Sequence, residues 1–209
     1  EFKQAMSQEA PKLATRVASQ KVLEVLTQAV PEMVGGSADL TGSNGTRTSN
    51  HVAVTADDFS GSYVNYGVRE HGMGAAMVGM ALHGGVIPIG GTFFVFLDYM
   101  RPAVRLAALS HAKACFVWTH DSVGVGEDGP THADPQPLQL LQGNFPTGTV
   151  ITLTPWDPQE MWPLVAAAFE KRPAVIAPFV TRPSEPVLDR PALGLAAPTE
   201  AAQGVYQLR

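Results

Sequence analysis

Glu70 sits where the chain changes character. The octapeptide Tyr66-Gly67-Val68-Arg69-Glu70-His71-Gly72-Met73 leads into an apolar, small-residue helix from Gly74 to Leu82. An acid at that point can simply answer the positive end of the helix dipole, or it can do general acid–base work. Further on, Thr92-Phe93-Phe94-Val95-Phe96-Leu97-Asp98-Tyr99 spaces Phe93, Phe96 and Tyr99 every third residue, as a stripe on one helix face. In isolation such a stripe is core. A third segment, Thr119 to His132, gathers His120, Asp121, Glu127, Asp128 and His132 in a glycine-rich loop. These invite a metal reading, but their spacing matches no common zinc pattern, so no metal is assigned here.

The elements around these residues alternate between strand and helix. Ala10 to Ala29 carries apolar residues at helical spacing and stops at Pro31. Glu32 to Ala38 reads as a strand entering a Gly/Ser/Asn loop over Gly42 to Asn50. Tyr63 to Tyr66 is a short strand, Glu70 to His83 a helix of small residues, and Val86 to Ile89 a short buried strand. Phe94 to Leu109 is helical, with a kink or break expected near Met100 because Pro102 lies inside it. Ala114 to Thr119 is a strand, Val150 to Thr154 another, Asp157 to Lys171 a helix and Ala174 to Val180 a last strand. This order predicts an α/β fold, a doubly wound, mostly parallel sheet with helices on both faces. In such sheets ligands lie beyond the carboxyl ends of the strands, where the Thr119 to His132 loop falls.

Composition narrows the classes. With 209 residues, 45% hydrophobic and 16% charged, the chain suits one globular domain with a tail. A net charge of -5 argues against nucleic-acid or anionic-membrane surfaces. The single Cys115 excludes an internal disulfide and suits a reducing, cytoplasmic setting. The longest apolar run, Ala75 to Leu82, is far short of the roughly 20 residues a membrane helix needs. Glu1 to Pro11 is polar, so no signal peptide is expected there, and the absence of an initiating Met suggests a natural start upstream, which leaves targeting open.

The three segments, in this order and spacing, closely resemble the pyrimidine-binding domain of transketolase, and Gly35-Gly36-Ser37-Ala38-Asp39-Leu40-Thr41-Gly42-Ser43-Asn44 fits the same family. The resemblance spans roughly Leu13 to Arg182. It implies thiamine diphosphate and transfer of a two-carbon ketol unit between sugar phosphates, the chemistry of the pentose phosphate pathway. It implies that Glu70 hydrogen-bonds the cofactor's aminopyrimidine at N1′ and activates it, and that Phe93, Phe96 and Tyr99 line its pocket. By the same resemblance Arg16, Ser43 and Arg182 clamp the substrate phosphate, for which the planar arginine fork is suited. His120 assists at that end, Asp128 takes the donor's C2 hydroxyl, His132 lies near the reacting carbonyl, and Asp39 stands at the cofactor or dimer edge.

Departures from the family pattern are local. Thr181-Arg182-Pro183-Ser184 replaces the usual Ser-Arg-Gln-Asn, and Ala133-Asp134 precedes Pro135 where Gln-Pro is usual. The Gly-Asp-Gly…Asn pair that holds the diphosphate metal, Mg2+ or Ca2+, has no counterpart here. That half of the site is expected from upstream residues or another subunit, so a homodimer or a diphosphate-domain partner is implied. Residues 1–182 are thus expected to be the pyrimidine-binding domain. Residues 183–209 are expected to be a Pro/Ala-rich linker, Pro183 to Thr199, and the first strand, Ala202 to Leu208, of a further domain. Deoxyxylulose phosphate synthase and the beta subunit of 2-oxo acid dehydrogenases share the Glu but fit the Thr119 to His132 loop less well. Dihydroxyacetone synthase and a non-catalytic dimerisation module stand as alternatives.

Overall fold

The computed structural model describes residues 12–134 and 136–209. In chain order its elements are β1 (Lys12–Leu13), α1 (Thr15–Ala29), β2 (Met33–Ser37), α2 (Thr41–Asn44), β3 (Tyr63–Asn65), α3 (Glu70–His83), β4 (Ile87–Phe93), α4 (Leu97–Leu109), β5 (Ala114–Thr119), α5 (Gln136–Gly143), β6 (Val150–Leu153), α6 (Met161–Lys171), β7 (Val175–Val180) and β8 (Glu185–Pro186). Six strands form one sheet in the order β3-β2-β4-β5-β7-β6, with every pairing parallel. β1 and β8 make a small antiparallel pair of their own.

The period-two alternation of buried strands divides the core between the two faces of the sheet. Phe116, Trp118, Val175, Ala177 and Phe179 pack with Met73 and Met77 of α3 and Leu97, Met100 and Val104 of α4. Cys115, Val117, Ile176 and Val180 face the other way, onto Ala18 and Val22 of α1 and Met161 and Val165 of α6. The expected doubly wound arrangement is therefore present. Burial pushes the Cys115 thiol up to about 12, which makes it a packing group rather than a nucleophile.

Some elements differ from expectation. β4 does not stop at Ile89 but runs through Gly90 and Gly91 to Phe93. Those glycines are not breakers; they admit close neighbours. A Cβ on Gly90 would lie 2.3 Å from the Met77 sulfur, and one on Gly91 2.4 Å from Thr46 Cγ2. α4 is continuous through Pro102 and does not break near Met100. The irregularity falls ahead of it, in a 3₁₀ turn at Phe94–Phe96. Burial of Leu97, Met100 and Val104, at about 1.5–3 kcal/mol each, outweighs the roughly 3 kcal/mol of an internal proline.

α1 begins at Thr15; Ala10 and Pro11, placed in that helix by the sequence, lie outside the described residues. The 42–50 loop opens with the short α2, and α5 occupies part of the segment after His132. The strand expected over Ala202 to Leu208 is absent. Pro198–Gln203 is a 3₁₀ turn, and Tyr206 donates its hydroxyl to Glu160 beside α6 instead of entering a sheet. Residues 183–195 are not simply extended either. β8 pairs with β1, and the Arg190 side chain is fully buried against Asp157 and Glu160.

Candidate active site

Strand register assembles the site. Ser37 pairs with Gly91, Phe93 with Thr119, and Thr119 with Val180, so the carboxyl ends of β2, β4, β5 and β7 form a row. Asp39, Phe93, His120 and Arg182 stand at or just beyond those ends. Arg16 reaches the row from the first turn of α1, where its backbone N–H meets the Thr181 carbonyl and Thr15 Oγ1 accepts from Thr181 N–H at 2.7 Å. Three non-glycine residues here adopt left-handed backbone: Asp39 (φ 65°), His120 (φ 55°) and Ser122 (φ 73°). Such conformations cost about 1–3 kcal/mol each and mark segments held by their surroundings.

Two groups of side chains result. The first lines a cleft of about 380 Å³ formed by Asp39, Val68, Glu70, Phe96 and Tyr99, with Ala38 and Leu40. Glu70 is the first residue of α3 and is half-buried. Val68 and Tyr99 are 74% and 66% exposed, an apolar wall that no described residue covers.

The second group is a cluster of opposed charges. Arg16 Nη1 donates to the Ser43 backbone carbonyl at 2.7 Å, while its Nε is buried without a partner. Arg182 pairs with Glu127, donates to the Val125 carbonyl at 3.1 Å, and holds its Nε 3.5 Å from Asp128 Oδ2. That Asp128 oxygen is buried and accepts no hydrogen bond from the described residues. Burial and the neighbouring Arg182 charge lower the proton affinity of Arg16. The hydrogen bond from Arg182 holds the Glu127 carboxyl down at about 2.

Phe93 joins the two groups. Its ring stacks on His120 with centroids 3.7 Å apart, meets His132 edge-on at 5.8 Å, and lies parallel to Phe96 at 6.0 Å. Phe96 continues to Tyr99 at 6.1 Å. The expected aromatic stripe is real, but not as one helix face: Phe93 ends a strand, Phe96 sits in the 3₁₀ turn and Tyr99 on α4. The three-residue period of a 3₁₀ turn keeps the rings in line. His120 is 3% exposed, and burial, then Arg16, drive its pKa down to about 4.

A family model for the transketolase pyrimidine-binding domain matches residues 11–182. The chain belongs to this family. It is 52% identical over 159 residues to a transketolase of Cereibacter sphaeroides, covering 76% of this chain and 24% of that protein. A Sinorhizobium medicae transketolase is 45% identical over 211 residues, covering 100% of this chain and 29% of its own length. Among solved structures, the Pichia stipitis transketolase in complex with sedoheptulose 7-phosphate superposes with a TM-score of 0.86 at 36% identity, covering 100% of this chain and 31% of that one. The chain therefore spans about a quarter to a third of the length of these relatives.

Transketolase implies thiamine diphosphate, and the cleft fits the cofactor's flat aminopyrimidine. Exposed Tyr99 and Val68 and the half-buried Phe96 meet a half-buried carboxyl, Glu70. Among the described residues no group of three or more His, Cys, Asp or Glu side chains is arranged to hold a metal ion. Sequence reasoning missed Ser37, Asn44 and Thr119, which hydrogen-bond in series to His120. It also gave no role to Glu127, the partner of Arg182. Ser37 and Asn44 share one segment, but Thr119 lies 75 residues beyond Asn44, and no spacing pattern links it to them.

Proposed function

We propose that this chain is the pyrimidine-binding part of a transketolase, moving a two-carbon ketol unit from a ketose phosphate to an aldose phosphate. The observation that carries this reading is the cleft where Glu70 meets Phe96 and Tyr99 beside a two-arginine cluster. When bound, thiamine diphosphate supplies the carbon nucleophile for the transfer. The Glu70 carboxyl would hold the pyrimidine ring by a hydrogen bond to N1′ and supply the acid–base group for its activation. Phe96 and Tyr99 hold the ring and keep water from it, with Phe93 behind them and Asp39 at the edge.

Arg16, Arg182 and Ser43 grip the substrate phosphate, with His120 beside them. Asp128 accepts a sugar hydroxyl, and His132, edge-on to Phe93 and Phe96, stands at the reacting carbonyl. The diphosphate and its Mg2+ or Ca2+ would be held by a diphosphate domain, brought by a second subunit or by the same polypeptide. Residues 1–182 form the pyrimidine-binding domain in this reading, and 183–209 lead toward a further domain.

The test is ketol transfer from xylulose 5-phosphate to ribose 5-phosphate, using the longest natural polypeptide containing this chain, with thiamine diphosphate and magnesium. Cofactor-dependent transfer is expected. Cofactor binding without transfer would assign another thiamine reaction, and neither would leave a dimerisation module.

A further inference from the structure

The polar chain behind His120 has a direction. Ser37 Oγ accepts from the Leu40 N–H at 3.0 Å and from Asn44 Nδ2 at 3.2 Å. The amide oxygen of Asn44 then accepts from the Thr119 hydroxyl at 2.8 Å. A threonine hydroxyl has a single proton, and here Asn44 receives it. With the Asn44 amide in this orientation, the contact between Thr119 Oγ1 and His120 Nδ1, at 2.9 Å, is donated by the imidazole. The proton of the neutral ring is on Nδ1, and Nε2 carries a lone pair.

That lone pair faces the second group of the site. Nε2 lies 3.7 Å from Asp128 Oδ2, beyond hydrogen-bond distance, and Asp128 Oδ2 accepts from nothing else. Two acceptors thus confront each other with no proton between them. Asp128 favours the charged imidazole; Arg16, Arg182 and His132 oppose it, as does burial under Phe93. A tetrahedral dianion between the arginines cancels the opposing positive charge and adds a third acceptor. Only a proton on Nε2 then satisfies the geometry.

We infer that Asn44 and Thr119 hold His120 in its Nδ1–H tautomer, so that its free Nε2 takes up a proton from solvent when a tetrahedral dianion enters the arginine cluster. This rests on the phosphate clamp proposed above. Asn44 and Thr119 are positioning residues: they touch no ligand and act through the imidazole. Phosphorylated sugars are then bound with uptake of a proton, and their affinity weakens as pH rises through the pKa of the complex.

Sulfate is the probe, because it does not titrate near neutral pH and any proton taken up belongs to the protein. Calorimetry of sulfate binding to the full natural polypeptide, in buffers of different ionisation enthalpy, is expected to show uptake that approaches one proton per sulfate as pH falls below the pKa of the complex, and that declines again as pH reaches the pKa of the free imidazole. His120→Gln is expected to lose that uptake. Imidazole ¹⁵N shifts should show Nδ1 protonated and Nε2 bare before sulfate, both protonated after it, and a mixed tautomer in Thr119→Val. An Nε2–H tautomer in the free wild-type protein, or sulfate binding with no proton uptake, overturns the inference and leaves the clamp standing. No sulfate binding at all overturns the clamp, and the proton uptake with it.

Discussion

The imidazole of His120 lies on the ring of Phe93, with centroids 3.7 Å apart and 30° between the planes. The contact follows from register. Phe93 and Thr119 are paired at the ends of adjacent parallel strands, so the residue after Thr119 must pass over Phe93. Phe93 is thereby part of what keeps water from His120.

Removing that cover should move the proton affinity of His120 in a known direction. Burial is the largest cause of its low pKa of about 4, and Arg16 is the next. Water admitted by Phe93→Ala stabilises the imidazolium, so the pKa rises, while Arg16 and Arg182 still hold it below the ordinary value. NMR titration of His120 reads this directly. An unchanged pKa would assign the depression to the arginines alone.

Glu70→Gln keeps the shape of the cleft wall but removes the carboxyl. Ketol transfer by the full polypeptide should drop by about 10²–10⁴-fold, the usual span for an acid–base group, with the circular dichroism spectrum unchanged. Activity within a few-fold of the wild type would sink the proposed role.

Arg182 is already engaged by Glu127, an exposed carboxylate that a substrate phosphate would have to displace. Arg182→Ala is expected to raise KM for phosphorylated sugars about tenfold while leaving unphosphorylated acceptors nearly unaffected. Glu127→Gln should do the reverse and lower KM for the phosphorylated substrates. Equal effects on both substrate classes would take Arg182 out of the clamp, and a rise in KM for Glu127→Gln would make that acid a support rather than a competitor.

How far the sequence reaches is seen at single residues. α3 was legible to its ends, Glu70 and His83, because small apolar residues run unbroken to Gly84-Gly85. The extent of β4 was not, because Gly90 and Gly91 look like breakers until Met77 and Thr46 are seen against them. Glu70, Phe96, Tyr99 and Asp39 were drawn from separate motifs, and the fold brings them to one cleft. Ser37, Asn44 and Thr119 stand in the quoted motifs but carry no role there, because a hydrogen bond across 75 residues leaves no periodic trace. Arg190 escaped for a related reason: Pro and Ala around it read as linker, and only tertiary structure shows its two acidic partners.

Arg190 also carries the last prediction. It is 1% exposed and donates to Asp157 Oδ2 at 2.8 Å and Glu160 Oε1 at 2.6 Å, both buried. It reaches the Ala196 carbonyl at 3.0 Å as well, and its guanidinium lies 5.3 Å from the centroid of the Trp156 ring. Burial works against its charge, but Glu160, Asp157 and Tyr206 more than offset that, so it holds its proton more tightly than usual. Asp157 meanwhile caps the turn before α6 through Gln159 N–H. Arg190→Met therefore strands two buried carboxylates and should destabilise the fold by about 3–5 kcal/mol, read as a shift in the urea midpoint. Adding Asp157→Asn and Glu160→Gln should return part of that loss, because the stranded charges go with it. A loss below about 1 kcal/mol for Arg190→Met, the level of an exposed ion pair, would make residues 183–209 a loose connector instead of a segment fastened to α6.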